Sequence, residues 1–194
     1  MPTYNMKVTS AEFIKGIRGT NEIAVNGIPH VAFVGRSNVG KSSLIAAIVH
    51  DKSLVKVSNT PGKTREINFF LINKKTYLVD LPGYGYARVN PTEKEKLQKL
   101  ILWYLTDPTI RPKKVVVVLD ARVGVTPFDR QMFQILTEQQ HPFCVVANKI
   151  DKLSQKELRI ELDKIRLAAG GAEVFPTSAI QPNGAKGLVG ALFV

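Results

Sequence analysis

Apolar positions along the chain fall into two rhythms that take turns: short β-branched runs, and longer stretches with helical spacing. His30-Val31-Ala32-Phe33-Val34 reads as a strand, and Ser43-Leu44-Ile45-Ala46-Ala47-Ile48 as the helix that follows it. Ile67 to Ile72 and Thr76 to Asp80 read as two more strands, and Asn73-Lys74-Lys75 between them leaves room only for an antiparallel hairpin. Thr92 to Tyr104 carries Leu97, Leu100, Ile101 and Tyr104 at helical spacing, with Pro91-Thr92-x-x-Glu95 as its expected capped start. Lys113 to Asp120, built on Val115-Val116-Val117-Val118, predicts a strand buried on both faces. Pro127 to Gln140 predicts a helix, Phe143 to Ala147 a strand, Leu153 to Ala169 an amphipathic helix stopped by Gly170-Gly171, and Val174-Phe175 a last short strand. Ala11 to Ile17 fits alternation and a short helix equally well. The sum is an α/β protein with a mostly parallel central sheet of about six strands, one of them antiparallel, and helices on both faces. No repeat, low-complexity tract or linker divides it, so residues 1–194 are expected to form one domain with a short N-terminal extension.

The polar residues that interrupt this pattern carry chemistry. Between the first strand and helix, Gly35-Arg36-Ser37-Asn38-Val39-Gly40-Lys41-Ser42 fits the phosphate-binding pattern G-x-x-x-x-G-K-[ST] in its proper strand-loop-helix setting, with Ser43 continuing into the helix. Glycines at both ends let main-chain N–H groups wrap an anion. Lys41 then reaches the β- and γ-phosphates, and the Ser42 hydroxyl is a ligand for Mg²⁺. Thr60-Pro61-Gly62-Lys63-Thr64 lies in a polar stretch with the composition of a long loop, and Thr64 is a second candidate for binding Mg²⁺ and sensing the γ-phosphate. Asp80-Leu81-Pro82-Gly83 ends a buried strand: Asp80 is placed to hold Mg²⁺ through water, and Gly83 to offer its N–H to the γ-phosphate. Lys41, Thr64 and Gly83 are thus the candidate catalytic residues. Asn148-Lys149-Ile150-Asp151 selects the base, because one carboxylate can accept both the ring N–H and the exocyclic amine of guanine, a donor pair that adenine lacks. Asn148 supports the base and the nearby loop, the Lys149 stem covers the ring face, and Thr177-Ser178-Ala179 adds a backbone N–H for the guanine carbonyl.

Charge adds a partner class. The formal charge is +11, and residues 1–114 carry 18 Lys/Arg against 8 Asp/Glu, whereas the remainder carries 9 against 8. A concentrated basic excess favours a polyanion such as RNA, read by charge and shape because no aromatic-strand or GXXG signature is present. Cys144 is the single cysteine, so no disulfide forms within the chain, and a reducing, cytoplasmic setting is expected. No apolar run approaches bilayer length, and Met1 to Gly16 lacks the apolar core of a signal peptide. A soluble, monomeric protein is expected. His30, His50 and His141 share no metal-ligand spacing with Cys144 and are given no role.

Together these motifs resemble the translation-factor class of P-loop GTPases, and within it the chain is similar over nearly its whole length to the EngB (YihA/YsxC) family of ribosome-biogenesis GTP-binding proteins. Asp80-Leu81-Pro82-Gly83-Tyr84-Gly85-Tyr86 is the most specific piece of that resemblance. It implies a GTPase that uses Mg²⁺, acts in large-subunit maturation, binds ribosomal RNA or the assembling particle, and has a family link to cell division and septation. The chain departs from the family at Asn148, where threonine is commoner, and in its apolar, glycine-broken end from Gly187 to Val194, which lacks the expected charged finish and suggests a truncated or altered terminus. Tyr84 stands where many GTPases carry the glutamine that orients water, so intrinsic hydrolysis is expected to be slow. Asn38 either helps hold a potassium ion between the phosphates or simply stabilises the loop. As a switch, Thr64 and the segment from Gly83 to about Asn90 would order around the γ-phosphate and present Lys63, Arg65 and Arg88 to RNA. The alternatives are a signalling GTPase acting through protein effectors and, less fittingly, a small-molecule kinase with a phosphate loop.

Overall fold

The computed structural model describes residues 8–51, 65–85, 90–181 and 184–193. Seven strands form one sheet: β1 (Ala11–Ile17), β2 (His30–Gly35), β3 (Ile67–Ile72), β4 (Thr76–Asp80), β5 (Lys114–Asp120), β6 (Phe143–Asn148) and β7 (Val174–Pro176). Their spatial order is β1-β3-β4-β2-β5-β6-β7. Pairing is parallel from β4 through β7, whereas β3 is antiparallel to both β1 and β4. β3 is therefore the one strand that runs against the other six. The seventh strand is β1, the segment whose pattern fits strand and helix equally. Tertiary pairing decides it: Ala11 to Ile17 lies along β3 in register from Ile72 to Ile67, with a bulge between Phe13 and Lys15.

Side-chain alternation splits the core in two. On one face Val31, Phe33, Phe70, Leu78, Val116 and Val146 pack under α1 (Lys41–Val49) and α5 (Lys186–Leu192). On the other, Ala32, Val34, Phe69, Val79, Val117 and Val145 pack under α2 (Pro91–Thr106), α3 (Pro127–Glu138) and α4 (Gln155–Ala168). Helices thus cover both faces, as the strand pattern requires. Cys144 belongs to the α1 face, where burial pushes its thiol up to about 12. His30 is a core residue: its Nδ1 lies 2.9 Å from the Tyr104 hydroxyl, and burial holds its pKa down at about 4.

Local chemistry fixes the element ends. Asn73 and Lys74 both take left-handed backbone angles, the twist that suits a tight hairpin, and the Asn73 side-chain Oδ1 accepts from Thr9 N at 2.8 Å and Ser10 N at 3.1 Å. That side chain ties the approach to β1 onto the β3–β4 turn. The start of α2 differs from the expected Thr92/Glu95 pair: Asn90 is the cap, accepting from Glu93 N at 2.8 Å, and Pro91 occupies the first turn. Gln140, left-handed at φ 56°, follows the end of α3, and Gly170 and Gly171 follow α4 at φ 61° and 94°.

Gly35 closes β2 in register with Val118, and a Cβ there would press into the Val118 carbonyl oxygen. Both partners are backbone in the sheet centre, so neither can move cheaply. Gly35→Ala is expected to lower stability by about 2 kcal/mol, read as a shifted urea midpoint at unchanged slope.

Candidate nucleotide-binding site

The sequence motifs among the described residues converge at one end of the sheet, beyond the carboxyl ends of β2, β4 and β6, where ligands of open α/β folds collect. The loop after β2 turns through two left-handed residues, Asn38 at φ 67° and Gly40 at φ 95°, before α1 begins at Lys41. Gly40 needs to be glycine twice over, because its backbone is left-handed and a Cβ would meet the Asn148 amide nitrogen. Asn148, at the end of β6, reaches this loop: its Nδ2 donates to the Val39 carbonyl at 2.9 Å. Its Oδ1 accepts from Thr177 Oγ1 at 3.3 Å and from Ala179 N at 3.2 Å. Of the Ser178-Ala179 segment expected to offer a backbone N–H to a guanine carbonyl, the Ala179 N–H is thus also within reach of Asn148. Ser178 Oγ donates to Asp151 Oδ1 at 2.6 Å, which orients the carboxylate expected to read the base.

Lys41, Ser42 and Asp80 form the second cluster. Ser42 Oγ donates to Asp80 Oδ2 at 2.8 Å. Burial drives the Asp80 carboxyl up, and the Lys41 charge and the Ser42 hydrogen bond oppose that rise. Burial drives the Lys41 ammonium down, opposed by Asp80. Each charge is therefore sustained chiefly by the other. Asp80 Oδ1 is buried with no hydrogen-bond partner. A serine hydroxyl beside an unpartnered carboxylate oxygen is a hard-oxygen donor set that fits Mg²⁺. The other expected ligand, Thr64, lies outside the described residues, as do Gly62 and Lys63.

Past Asp80 the chain runs alongside the phosphate-type loop. Ser37 N donates to the Tyr84 carbonyl at 2.9 Å, and Tyr84 N to the Gly35 carbonyl at 3.2 Å. Between them Gly83 sits so close that a Cβ would be 3.0 Å from Ser37 N. Leu81 and Pro82 are buried in the same segment. The Tyr84 side chain is buried among the residues under α2 and α3, donating to Asp129 Oδ1 at 2.6 Å, while Asp129 Oδ2 accepts from Thr126 N at 2.8 Å. Burial and the adjacent carboxylate hold the phenol firmly protonated. Tyr84 thus does more than omit a glutamine: it anchors the Gly83 segment to the start of α3.

Sequence reasoning missed that anchor, and it also missed Asp120. Asp120, at the end of β5, accepts from Arg122 Nη2 at 2.7 Å and from Lys149 Nζ at 2.9 Å. The Lys149 ammonium also reaches the Asn38 carbonyl, so its stem bridges the base-type and phosphate-type loops. An aspartate closing a buried valine run was the signal available for it.

Comparison with known proteins fits this geometry. A family model described as "50S ribosome-binding GTPase" matches residues 30–149, and one described as "Elongation factor Tu GTP binding domain" matches residues 111–193. The chain is a GTP-binding protein of the P-loop GTPase class. It is 45% identical over 161 residues to the "Probable GTP-binding protein EngB" of Aquifex aeolicus (strain VF5), covering 83% of this chain and 87% of the relative. Its likeness to the protein of the same name from Alkaliphilus metalliredigens (strain QYMF) is 39% over 192 residues, 96% of this chain and 91% of the relative. Among solved structures, a probable GTP-binding protein engB superimposes with a TM-score of 0.69 at 24% identity, covering 84% of this chain and 96% of that one. Era in complex with MgGDPNP and nucleotides 1506-1542 of 16S ribosomal RNA gives a TM-score of 0.66 at 25% identity, over 84% of this chain and 55% of that one. This chain belongs to the EngB family of GTP-binding proteins.

Burial acts to raise the Asp120 carboxyl, but hydrogen bonds from Arg122 and Lys149 outweigh it and hold the group down at about 2. A depressed carboxyl stabilises the fold in full above its unfolded pKa and loses that contribution as pH falls through the folded one. Urea unfolding of wild type and Asp120→Asn is expected to differ by about 1–2 kcal/mol at pH 7, with the gap closing below about pH 4. A gap that persists undiminished at about pH 2 would show that charge is not its source.

Proposed function

We propose that this protein is a slow, Mg²⁺-dependent GTPase of one domain spanning residues 1–194, working in the cytoplasm as a monomeric switch in large ribosomal subunit assembly. The observation that carries the nucleotide reading is the cross-bracing of the loops by Asn148, which sets a guanine-type carboxylate, Asp151, at a fixed position relative to the phosphate-type loop. In this reading Gly35, Arg36, Ser37, Asn38, Val39, Gly40 and Ser43 wrap the phosphates with main-chain N–H groups, and Lys41 neutralises the β- and γ-phosphates. Asp151 accepts the two guanine donors, and Ile150 and Thr177 hold the loop that carries it. Ser42, Asp80 and Thr64 hold Mg²⁺, which when bound offsets charge on the phosphate oxygens. The Gly83 N–H donates to the γ-phosphate, and because the Tyr84 phenol is engaged with Asp129, no side chain at that position orients water.

The switch reading places the signal in the segments around Thr64 and after Gly83. Of the three charges expected to face RNA, Lys63 and Arg88 lie outside the described residues, whereas Arg65 pairs with Glu93 at 2.9 Å and is half exposed. The ribosomal reading rests on the net charge of +11 and on the likeness to the "50S ribosome-binding GTPase" family and to Era in complex with ribosomal RNA. No helix among the described residues is long and apolar enough to cross a membrane. A role in division or septation would be secondary to assembly.

Sedimentation with large-subunit particles across a salt series is the test. Binding is expected with a non-hydrolysable GTP analogue and not with GDP, falling steeply with salt, and a Lys63/Arg65/Arg88→Ala variant should bind more weakly with a flatter salt slope. Nucleotide binding without particle binding in either state would point instead to a protein effector. The second expectation concerns Asn38, proposed to help hold potassium: exchanging sodium for potassium should raise particle-stimulated turnover about tenfold or more. Equal turnover in the two salts would leave Asn38 as a loop residue whose left-handed backbone asparagine tolerates.

A further inference from the structure

Among the described residues, the buried side-chain polar atoms without a hydrogen-bond partner belong to only two side chains: the Nδ2 and Oδ1 of Asn68, and the Oδ1 of Asp80. Both side chains are fully or almost fully buried, at 0% and 1% exposure. The two residues are direct partners across the β3–β4 ladder. Alternation puts them on one face of the sheet, since Phe70 two residues from Asn68 and Leu78 two residues from Asp80 both belong to the cluster under α1. Directly opposed residues of an antiparallel pair hold their Cβ atoms about 5 Å apart. On the far side of Asn68 stands Gly16 in β1, where a Cβ would run into the Glu66 carboxylate and would be 3.0 Å from the Asn68 amide oxygen. Gly16 therefore leaves space that the Glu66 carboxylate and the Asn68 amide share.

Buried unpartnered amides are rare because each end forfeits the hydrogen bonds it made in water. A strand interior at this position ordinarily favours an apolar residue, and the neighbours Ile67, Phe69 and Phe70 are all apolar. An asparagine there, opposite the one buried carboxylate oxygen among the described residues that also lacks a partner, calls for a polar occupant shared by the two. Mg²⁺ dehydrates reluctantly and keeps several of its waters, which supplies such an occupant. Outer groups that orient a metal's ligands are a regular part of metal sites.

We propose that Asn68 is a positioning residue of the divalent-cation site: its amide binds a water of the hydrated cation that the free oxygen of Asp80 also accepts, so that cation affinity depends on a strand residue outside every nucleotide motif. This rests on the reading of Ser42 and Asp80 as the cation's protein ligands. Asn68 acts through Asp80 and the water, not on the phosphates.

The test uses the full chain as wild type, Asn68→Leu and Asn68→Ser, with thermal midpoints and fluorescent-GDP affinity measured in EDTA and across a MgCl₂ titration. Asn68→Leu should melt higher than wild type in EDTA, because the amide's unmet demand is gone, and should bind GDP in EDTA as wild type does. The MgCl₂ concentration giving half of the nucleotide-linked stabilisation should rise about tenfold or more. Asn68→Ser, which leaves room for water and one hydroxyl, should shift it less, by about threefold. A half-effect concentration within twofold of wild type in both variants overturns the proposal, and the serine variant alone decides if the leucine variant does not fold. If wild type itself shows GDP binding but no response to MgCl₂, the cation reading of Asp80 fails and this inference with it. If wild type binds no GDP, the fault lies with the nucleotide reading.

Discussion

A single buried amide sets the geometry on which the candidate site depends. Asn148 spends its donor on the Val39 carbonyl and its acceptor on Thr177 and Ala179, so three loops from distant parts of the chain share one side chain. The bonds are individually ordinary. Their effect is collective, and they add to the backbone bonds that hold Thr177 to Ala147 and Ile150 and to the Lys149 contact with the Asn38 carbonyl. A truncated Asn148 would leave backbone groups of separate loops unpaired at once, and buried unpaired groups cost about 1–3 kcal/mol each.

Around this bracket, charge is arranged in two matching pairs. Two of the motif lysines are set toward strand-end carboxylates: Lys41 interacts electrostatically with Asp80 at the end of β4, and Lys149 forms an ion pair with Asp120 at the end of β5, at 2.9 Å. Both carboxylates are nearly buried, so the attraction between Lys41 and Asp80 and the Lys149–Asp120 ion pair are less screened than those of surface charges. A cation in a largely buried setting is tolerated only beside its counter-charge. The second pair differs from the first in carrying Arg122 as well, which exposes one edge of it to solvent. The reversed strand β3 contributes a third element, since its antiparallel ladder with β4 is what sets Asn68 opposite Asp80.

Much of this was legible in the chain. The valine run of β5, the hairpin forced by Asn73 to Lys75 and the phosphate-type loop follow from local rules, because spacing and residue type there leave few alternatives. What escaped depends on register between distant segments. Ala11 to Ile17 became a strand only because β3 presented an edge to it, and no local pattern encodes a neighbour's edge. Tyr84 could be recognised as a missing glutamine, but its partner Asp129 lies in another element 45 residues away. Asp120 looked like the end of a strand, and its partnership with Lys149 appears only once β5 and β6 lie side by side. The start of α2 was misplaced by two residues for a simpler reason: Asn90 and Thr92 are both good caps, and Pro91 at the first turn favours the earlier one.

Cys144 gives the molecule a built-in clock. It is the chain's single thiol, 1% exposed in the strand that ends in Asn148, and burial keeps it in the unreactive protonated form. A thiol reagent can modify it only when β6 or the α1 and α5 layer packed over it opens, so the rate of labelling under native conditions counts openings around the strand that carries the loop bracket. No engineered reporter is needed, and no second cysteine blurs the reading. Any ligand that tightens the bracket would slow that clock, whatever the ligand is and whether or not it is turned over.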